Sequence, residues 1–232
     1  FSGNKIIPLC FGPNCNVNMY KKDGELAIPG EIIAKVTGPT KIILSHERVT
    51  LNLIQRLCGI TSRAHKFVEI ASDYNIKILD TRKMTPGLRL FEKYAVALGG
   101  AYNHRLNLSE GILIKDNHIY SAGSIKSAVN KVLSSNLNMP IELEVDNLNQ
   151  IIEALRYNID GFLLDNMSPD VIKKAVTLIR NSNQNNKKYI EASGGITEEN
   201  IGSYLDTGID AISIGAITHS AVNKDIRLTF IS

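Results

Sequence analysis

Ile141-Glu-Leu-Glu-Val-Asp-Asn-Leu-Asn-Gln-Ile-Ile-Glu-Ala-Leu-Arg-Tyr-Asn-Ile-Asp-Gly-Phe-Leu-Leu-Asp-Asn166 contains one complete structural repeat. Ile141–Val145 alternates apolar and acidic residues, the period of a strand, so Glu142, Glu144 and Asp146 share one face. Leu148, Ile151, Ile152 and Leu155 then recur at helical spacing within 147–157. Phe162-Leu-Leu164 returns to a short apolar run. Strand, helix and strand in so few residues make a parallel crossover.

The same alternation continues on both sides. Downstream, Ser168-Pro169 opens a helical stretch over 168–180 with a capping residue and a first-turn proline. Tyr189-Ile-Glu-Ala192, a helical pattern over 197–207, and Ala211-Ile-Ser-Ile214 follow. Upstream lie a strand at Ile76-Lys-Ile-Leu-Asp80, a helical face of Leu88, Phe91, Ala95 and Leu98, a strand at Ile112-Leu-Ile114, and a helical pattern over 123–134. Six strands result, with a possible seventh near 100–103. The expected fold class is α/β, with a short or incomplete (β/α) barrel, since eight full units take about 250 residues. An open doubly wound sheet competes, but no G-x-G-x-x-G follows the first strand.

Before residue 61 the texture differs. Glycines and prolines divide residues 1–45 into pieces, with short strands expected at Glu31–Val36 and Lys41–Leu44. Residues 1–20 match no pattern. A helix is expected from Ser45 or His46, with Ser45 as N-cap, to Cys58, ending at Gly59; Ala64, Phe67, Val68 and Ala71 mark the next helical face. The expected division is an α+β sandwich-like domain over 1–60, to which 219–232 returns, and a catalytic barrel over 61–218.

The chain has 232 residues and a net charge of +3. That charge is too mild to indicate nucleic acid, and no stretch of 18 apolar residues suggests a membrane span. Phe1–Cys10 lacks the apolar run of a secretion signal. Three cysteines, an odd number, argue against a disulfide framework and for a reducing, cytoplasmic setting.

In a barrel the reactive groups stand at the carboxyl ends of the strands. Here those ends read Asp80-Thr-Arg-Lys83, Lys115-Asp-Asn-His118, Asp165-Asn166, Ser193-Gly-Gly195 and Gly215-Ala216, with Asn103-His-Arg105 nearby. Arg82, Lys83, His104, Arg105 and Lys115 around one mouth would repel one another unless an anion joins them. Ion pairs with Asp80, Asp116, Glu144 and Asp165 are the alternative. Ser193-Gly-Gly195, with Thr197 at a helix start, suggests a phosphate cradle, and Gly215 ends the last strand in the matching place. Glu144 and Asp165 could hold ribose hydroxyls or a Mg2+ that bridges phosphates.

Leu79-Asp-Thr-Arg-Lys-Met-Thr-Pro-Gly87, Asn103-His-Arg105, Ile114-Lys-Asp-Asn-His118, Glu142-Leu-Glu-Val-Asp146, Leu163-Leu-Asp-Asn166, Ser193-Gly-Gly-Ile-Thr197 and Ile214-Gly-Ala-Ile-Thr-His219, with Glu47–Asn52, Gln55–Ile60 and Glu92–Val96, resemble the quinolinate phosphoribosyltransferases. The resemblance runs over about 21–230; the segment before Lys21 is expected to depart from the family, and Met84 stands where a small hydroxyl residue is expected. It implies that quinolinate and phosphoribosyl pyrophosphate give nicotinate mononucleotide, pyrophosphate and CO2, with Mg2+, in NAD biosynthesis. It implies a homodimer in which Arg48 reaches into the partner's site. Arg82, His104, Arg105 and Lys115 would bind quinolinate. Lys83, Glu144 and Asp165 would serve the ribose and pyrophosphate, Glu144 and Asp165 being the candidate metal residues, while Ser193, Gly194 and Gly215 would hold phosphate. Lys83, Lys115, Glu144 and Asp165 are thus the catalytic candidates. Competing readings are a barrel lyase using Lys115 as a Schiff base, a related transferase with another acceptor base, and a non-catalytic phosphate-binding module.

Overall fold

The computed structural model describes residues 1–182 and 187–231. The chain divides into two compact units. The first gathers Phe1–Glu69, Lys83–Ala101 and the residues from Ala216 onward; the second holds Ile70–Arg82 and Tyr102–Gly215.

The second unit is built on six parallel strands, β3 (Lys77–Leu79), β4 (Ile112–Ile114), β5 (Ile141–Val145), β6 (Gly161–Asp165), β7 (Tyr189–Ser193) and β8 (Ala211–Ser213), in spatial order β3-β8-β7-β6-β5-β4. All six are the strands expected from the apolar runs. The possible seventh is a single parallel bridge between Leu79 and Tyr102, which continues the curve beyond β3. The result is barrel-like and incomplete. Helices α4 (Asp116–Ala122), α5 (Ile125–Ser134), α6 (Leu148–Ala154) and α7 (Pro169–Arg180) follow their strands. Asn147 and Ser124 cap α6 and α5 by accepting the Gln150 and Ser127 N–H groups at 3.0 and 3.1 Å. Pro169 occupies the first turn of α7, as expected, although Ser168 makes no side-chain cap bond.

The strand register sorts the residues of this sheet into two faces. Leu143, Phe162 and Ile190 are level across β5 to β7, Leu164, Ala192 and Ile212 are level across β6 to β8, and all six are wholly buried. The other face brings Glu144, Leu163 and Glu191 level with one another, with Asp165 level with Ser193 two residues further along. One face of a parallel sheet is thus uniformly apolar while the other carries carboxylates toward its carboxyl edge. Such a face needs cations or polar ligands to be stable.

The first unit contains α1 (Ile6–Phe11), an antiparallel pair β1 (Asn16–Met19) and β2 (Ala34–Thr37), the long α2 (Thr40–Ile70), α3 (Arg89–Leu98) and α8 (Ala216–His219). Within residues 1–20, where the sequence matched no pattern, α1 and β1 form; Asp23 Oδ1 accepts the Gly3 and Asn4 N–H groups at 2.8 Å each, just ahead of α1.

The first unit and the end of the second differ from the sequence expectations at several points. Lys41–Leu44 is helical, not a strand: a short apolar run fits either period, and Pro39 O accepts the Ile42 and Ile43 N–H groups at 2.9 and 3.1 Å as the helix starts. Ser45 therefore lies inside α2 and caps nothing. Its hydroxyl donates back to Ile42 O at 2.9 Å. Gly59 does not end the helix. A Cβ there would come within 2.3 Å of Val222 O, so glycine is required by the close passage of the C-terminal segment, and the two helices expected around it are one. The stretch 197–207 forms only a 3-10 turn at Ile201–Tyr204. No helix among the described residues is long and apolar enough to cross a membrane, and Cys10, Cys15 and Cys58 are free thiols.

Buried charge organises this unit. Glu92 is fully buried, and Arg56 donates to its Oε1 from Nε and Nη2 at 3.1 and 3.0 Å. The Thr85 hydroxyl and N–H complete the carboxylate at 2.7 and 3.1 Å. Arg56 also donates to Thr218 O at 2.7 Å and Ala221 O at 3.2 Å. One guanidinium thus joins α2, α3 and the C-terminal segment.

Candidate active site

The carboxyl edge of the second unit's sheet gathers the groups the sequence singled out there. Lys115 follows β4 and is held extended by α4, which begins at Asp116; His118 Nδ1 accepts its N–H at 3.0 Å. Its ammonium meets Glu144 Oε2 at 2.6 Å. Glu144 is shielded and Lys115 half-exposed, with side-chain exposures of 12% and 45%, so the carboxylate is fixed and the ammonium stays accessible to a ligand.

His104 and Arg105 enter from the segment after the Tyr102 bridge. The buried Asp80 accepts the His104 N–H at 2.7 Å. Arg105 donates its own N–H to His104 Nδ1 at 2.8 Å and its Nη1 to Gly111 O at 3.0 Å. Burial depresses the Arg105 guanidinium, and the neighbouring Arg82 charge adds to this, while Glu142 opposes it. Arg82 therefore lies close enough to Arg105 for its charge to be felt. A part-buried guanidinium beside a like charge gains from a bound anion.

Inside this cation rim sits an acidic pair. Glu142 Oε2 lies 3.8 Å and Glu191 Oε2 3.4 Å from His104 Nε2. Burial, then the charge of Glu191, pushes the Glu142 carboxyl up to about 8. Glu142 therefore favours its protonated form at neutral pH rather than adding a full charge beside Glu191. Burial lowers the His104 pKa, but the facing Glu191 and Glu142 outweigh it and raise the imidazole above its ordinary value. Glu191 went unnoticed in the sequence. The available signal was one charged residue within the otherwise apolar Tyr189-Ile-Glu-Ala192.

Asp165 ends β6, its Oδ2 accepting Asn166 Nδ2 at 2.7 Å. Ser193 O accepts the Asn166 N–H at 2.9 Å. Gly194 has φ +93°, and a Cβ there would lie 2.2 Å from Asn166 Oδ1; glycine is what lets the ends of β6 and β7 approach. The cradle has no helix behind it, since the Thr197 N–H is already taken by Asn200 Oδ1 at 2.8 Å. Gly215 follows β8 in the same unit.

One further candidate lies apart from Glu142 and Glu144, and two belong to the first unit. Asp146 is exposed beyond β5 and is bonded to Asn147 Nδ2, so it does not share the site of Glu142 and Glu144. Lys83 belongs to the first unit, where its carbonyl accepts the Thr218 hydroxyl at 2.7 Å. Arg48 is an exposed residue of α2 in the first unit.

Cations and carboxylates at the carboxyl edge of a parallel barrel-like sheet, beside glycine turns, define an enzyme class that handles multiply charged, phosphorylated substrates. Two family models cover nearly the whole chain: the quinolinate phosphoribosyl transferase N-terminal domain over residues 1–58 and its C-terminal domain over 60–229. The chain belongs to the quinolinate phosphoribosyl transferase family. The match begins at Phe1, so the segment before Lys21 does not depart from the family as expected. A probable nicotinate-nucleotide pyrophosphorylase (carboxylating) of Bacillus subtilis is 44% identical over 232 residues, covering 98% of this chain and 78% of that protein. The human nicotinate-nucleotide pyrophosphorylase (carboxylating) is 35% identical over 218 residues, covering 93% and 73%. The crystal structure of nicotinate-nucleotide pyrophosphorylase from Ehrlichia chaffeensis has a TM-score of 0.87 at 42% identity, covering 92% of this chain and 76% of that one.

Proposed function

We propose that this protein joins quinolinate to the ribose of phosphoribosyl pyrophosphate, releasing pyrophosphate and CO2 and leaving nicotinate mononucleotide, as a step of NAD biosynthesis. The observation that carries this reading is the cation rim: Arg82 bears directly on Arg105, and Lys115 stands with Glu144 at the same edge. An aromatic dianion matches that arrangement. Arg82 and Arg105 hold one carboxylate and orient the ring, His104 belongs to the same pocket and positions Arg105, and Lys115 supplies a further cation. The ring nitrogen attacks the sugar carbon as its bond to pyrophosphate breaks. The resulting cationic ring accepts the electron pair of the carbon–carboxylate bond, CO2 departs, and a proton takes its place. The Lys115–Glu144 ion pair presents an ammonium at this edge, which suits anion binding.

Glu144 and Asp165 offer hard oxygen donors on the same face of neighbouring strands, which fits Mg2+ held jointly with phosphate oxygens. When bound, Mg2+ neutralises charge on the departing pyrophosphate. Lys83 and Asp165 serve the ribose and pyrophosphate, and Ser193, Gly194 and Gly215 the phosphate. The division into a sandwich-like part over 1–60, with 219–232, and a catalytic part over 61–218 belongs to the same proposal. So do a homodimer and a reducing cytoplasmic setting. Exposed Leu26, Ile28, Leu44 and Val49 in the first unit favour a second copy covering that surface, which would bring Arg48 to the partner's site.

Mixing Arg48→Ala and Arg105→Ala proteins tests the shared site. Each alone is expected to be nearly inactive. Hybrid dimers would regain one intact site, so an equal mixture reaches about a quarter of wild-type nicotinate mononucleotide formation. A mixture no more active than its components, with hybrids shown to form, contradicts the role of Arg48.

A further inference from the structure

Glu191 is wholly buried on β7, and neither of its carboxylate oxygens meets a hydrogen-bond donor at bonding geometry. An isolated carboxylate is costly there, and an amide of the same shape would cost less. The His104 ring faces it, with Nε2 at 3.4 Å from Glu191 Oε2. Glu142, His104 and Glu191 bring ligand atoms within 4.8 Å of one another, which is compatible with a metal ion. The ring's other nitrogen argues against that. A histidine that ligates through Nε2 carries its proton on Nδ1 and donates it, whereas here Nδ1 accepts the Arg105 N–H at 2.8 Å. The proton is therefore on Nε2 and points toward the acidic pair. The same contact disfavours a doubly protonated ring, which would set two donors against each other.

We propose that Glu191 is a positioning residue for acceptor binding: it fixes the His104 ring as the Nε2–H tautomer and, through Nδ1, fixes the backbone that carries Arg105. The chain of contacts is continuous. Asp80 holds the His104 N–H at 2.7 Å, Glu191 faces Nε2, Nδ1 holds the Arg105 N–H, and the Arg105 guanidinium is braced on Gly111 O at 3.0 Å. A ring released at Nε2 can turn about its Cβ–Cγ bond, and the Arg105 N–H then loses its acceptor. Glu191 touches no substrate in this account. Its effect falls on the acceptor and not on the sugar donor, whose groups lie with Glu144, Asp165 and the glycine turns. The choice of quinolinate as the acceptor rests on the function proposed above.

The test uses the full-length protein and its Glu191→Gln variant. Imidazole 15N spectra, assigned by loss of a signal in His104→Gln, are expected to show His104 as the Nε2–H tautomer in the wild type and a changed tautomer balance in Glu191→Gln. The KM for quinolinate should rise about tenfold or more while that for phosphoribosyl pyrophosphate stays within about twofold, as loss of one aligned charged contact requires. The urea midpoint should hold or rise. A wild-type His104 protonated on Nδ1, an unchanged quinolinate KM, or both KM values rising together would overturn the proposal. If Glu191→Gln does not fold, Glu191→Asp, which keeps the charge but withdraws it by one methylene, must show the same one-sided KM change. If the wild type forms no nicotinate mononucleotide, the functional reading fails, while the His104 spectra still decide the positioning role.

Discussion

Arg105→Ala is expected to lower kcat/KM for quinolinate by about three orders of magnitude, the upper range for removing one preorganised charged donor. The size of the effect follows from how the guanidinium is held. Gly111 O fixes one end, His104 fixes the backbone, and burial with Arg82 makes its charge costly until an anion arrives. Arg105→Lys keeps the charge and loses the planar fork, so it should recover only part of the loss. Steady-state kinetics at saturating sugar donor measure both variants. A loss below tenfold in Arg105→Ala would mean the acceptor binds elsewhere.

Arg56→Ala should destabilise the protein by about 3–5 kcal/mol, because it leaves the charge of Glu92 buried with only the Thr85 groups for partners. Glu92→Gln should cost less, about 1–3 kcal/mol, since the amide keeps some of the hydrogen bonds. Arg56 reaches α3 through Glu92 and the C-terminal segment through Thr218 and Ala221, so its removal frees both at once. Urea unfolding followed by circular dichroism reads the shift. The double variant should lose less than the sum of the singles, because the cost of each single lies mainly in the partner left behind. Additive losses would show that the two side chains act independently.

The parallel sheet was legible because each strand is a short apolar run separated from the next by a helical period, and that pattern is local. Arg82 and Lys115 were singled out for the same reason, since residues that follow parallel strands share one edge, and Arg105 feels the Arg82 charge while Lys115 pairs with Glu144. What escaped depends on contacts between distant segments. Gly59 reads as a helix end because glycine costs about 1 kcal/mol inside a helix, and only the passage of Val222 against it explains its place. Lys41–Leu44 carries no period of its own, and the helix it joins decides its state. The repeat over 197–207 reflects buried Ile201, Tyr204 and Leu205, but Asn200 turns the backbone there instead of a helix start. Glu191 looks like an anomaly in a strand until His104 is placed opposite it.

On the proposed function, the cations at this sheet edge serve an aromatic dicarboxylate that loses one carboxylate as it gains a ribose. Quinolinate labelled with 13C at the carboxylate beside the ring nitrogen, incubated with the protein, phosphoribosyl pyrophosphate and Mg2+, tests it most directly. Labelled CO2, pyrophosphate and nicotinate mononucleotide should form in equal amounts, and none should form without the sugar donor. Retention of the label, or equal turnover of an acceptor with a single carboxylate, would contradict it.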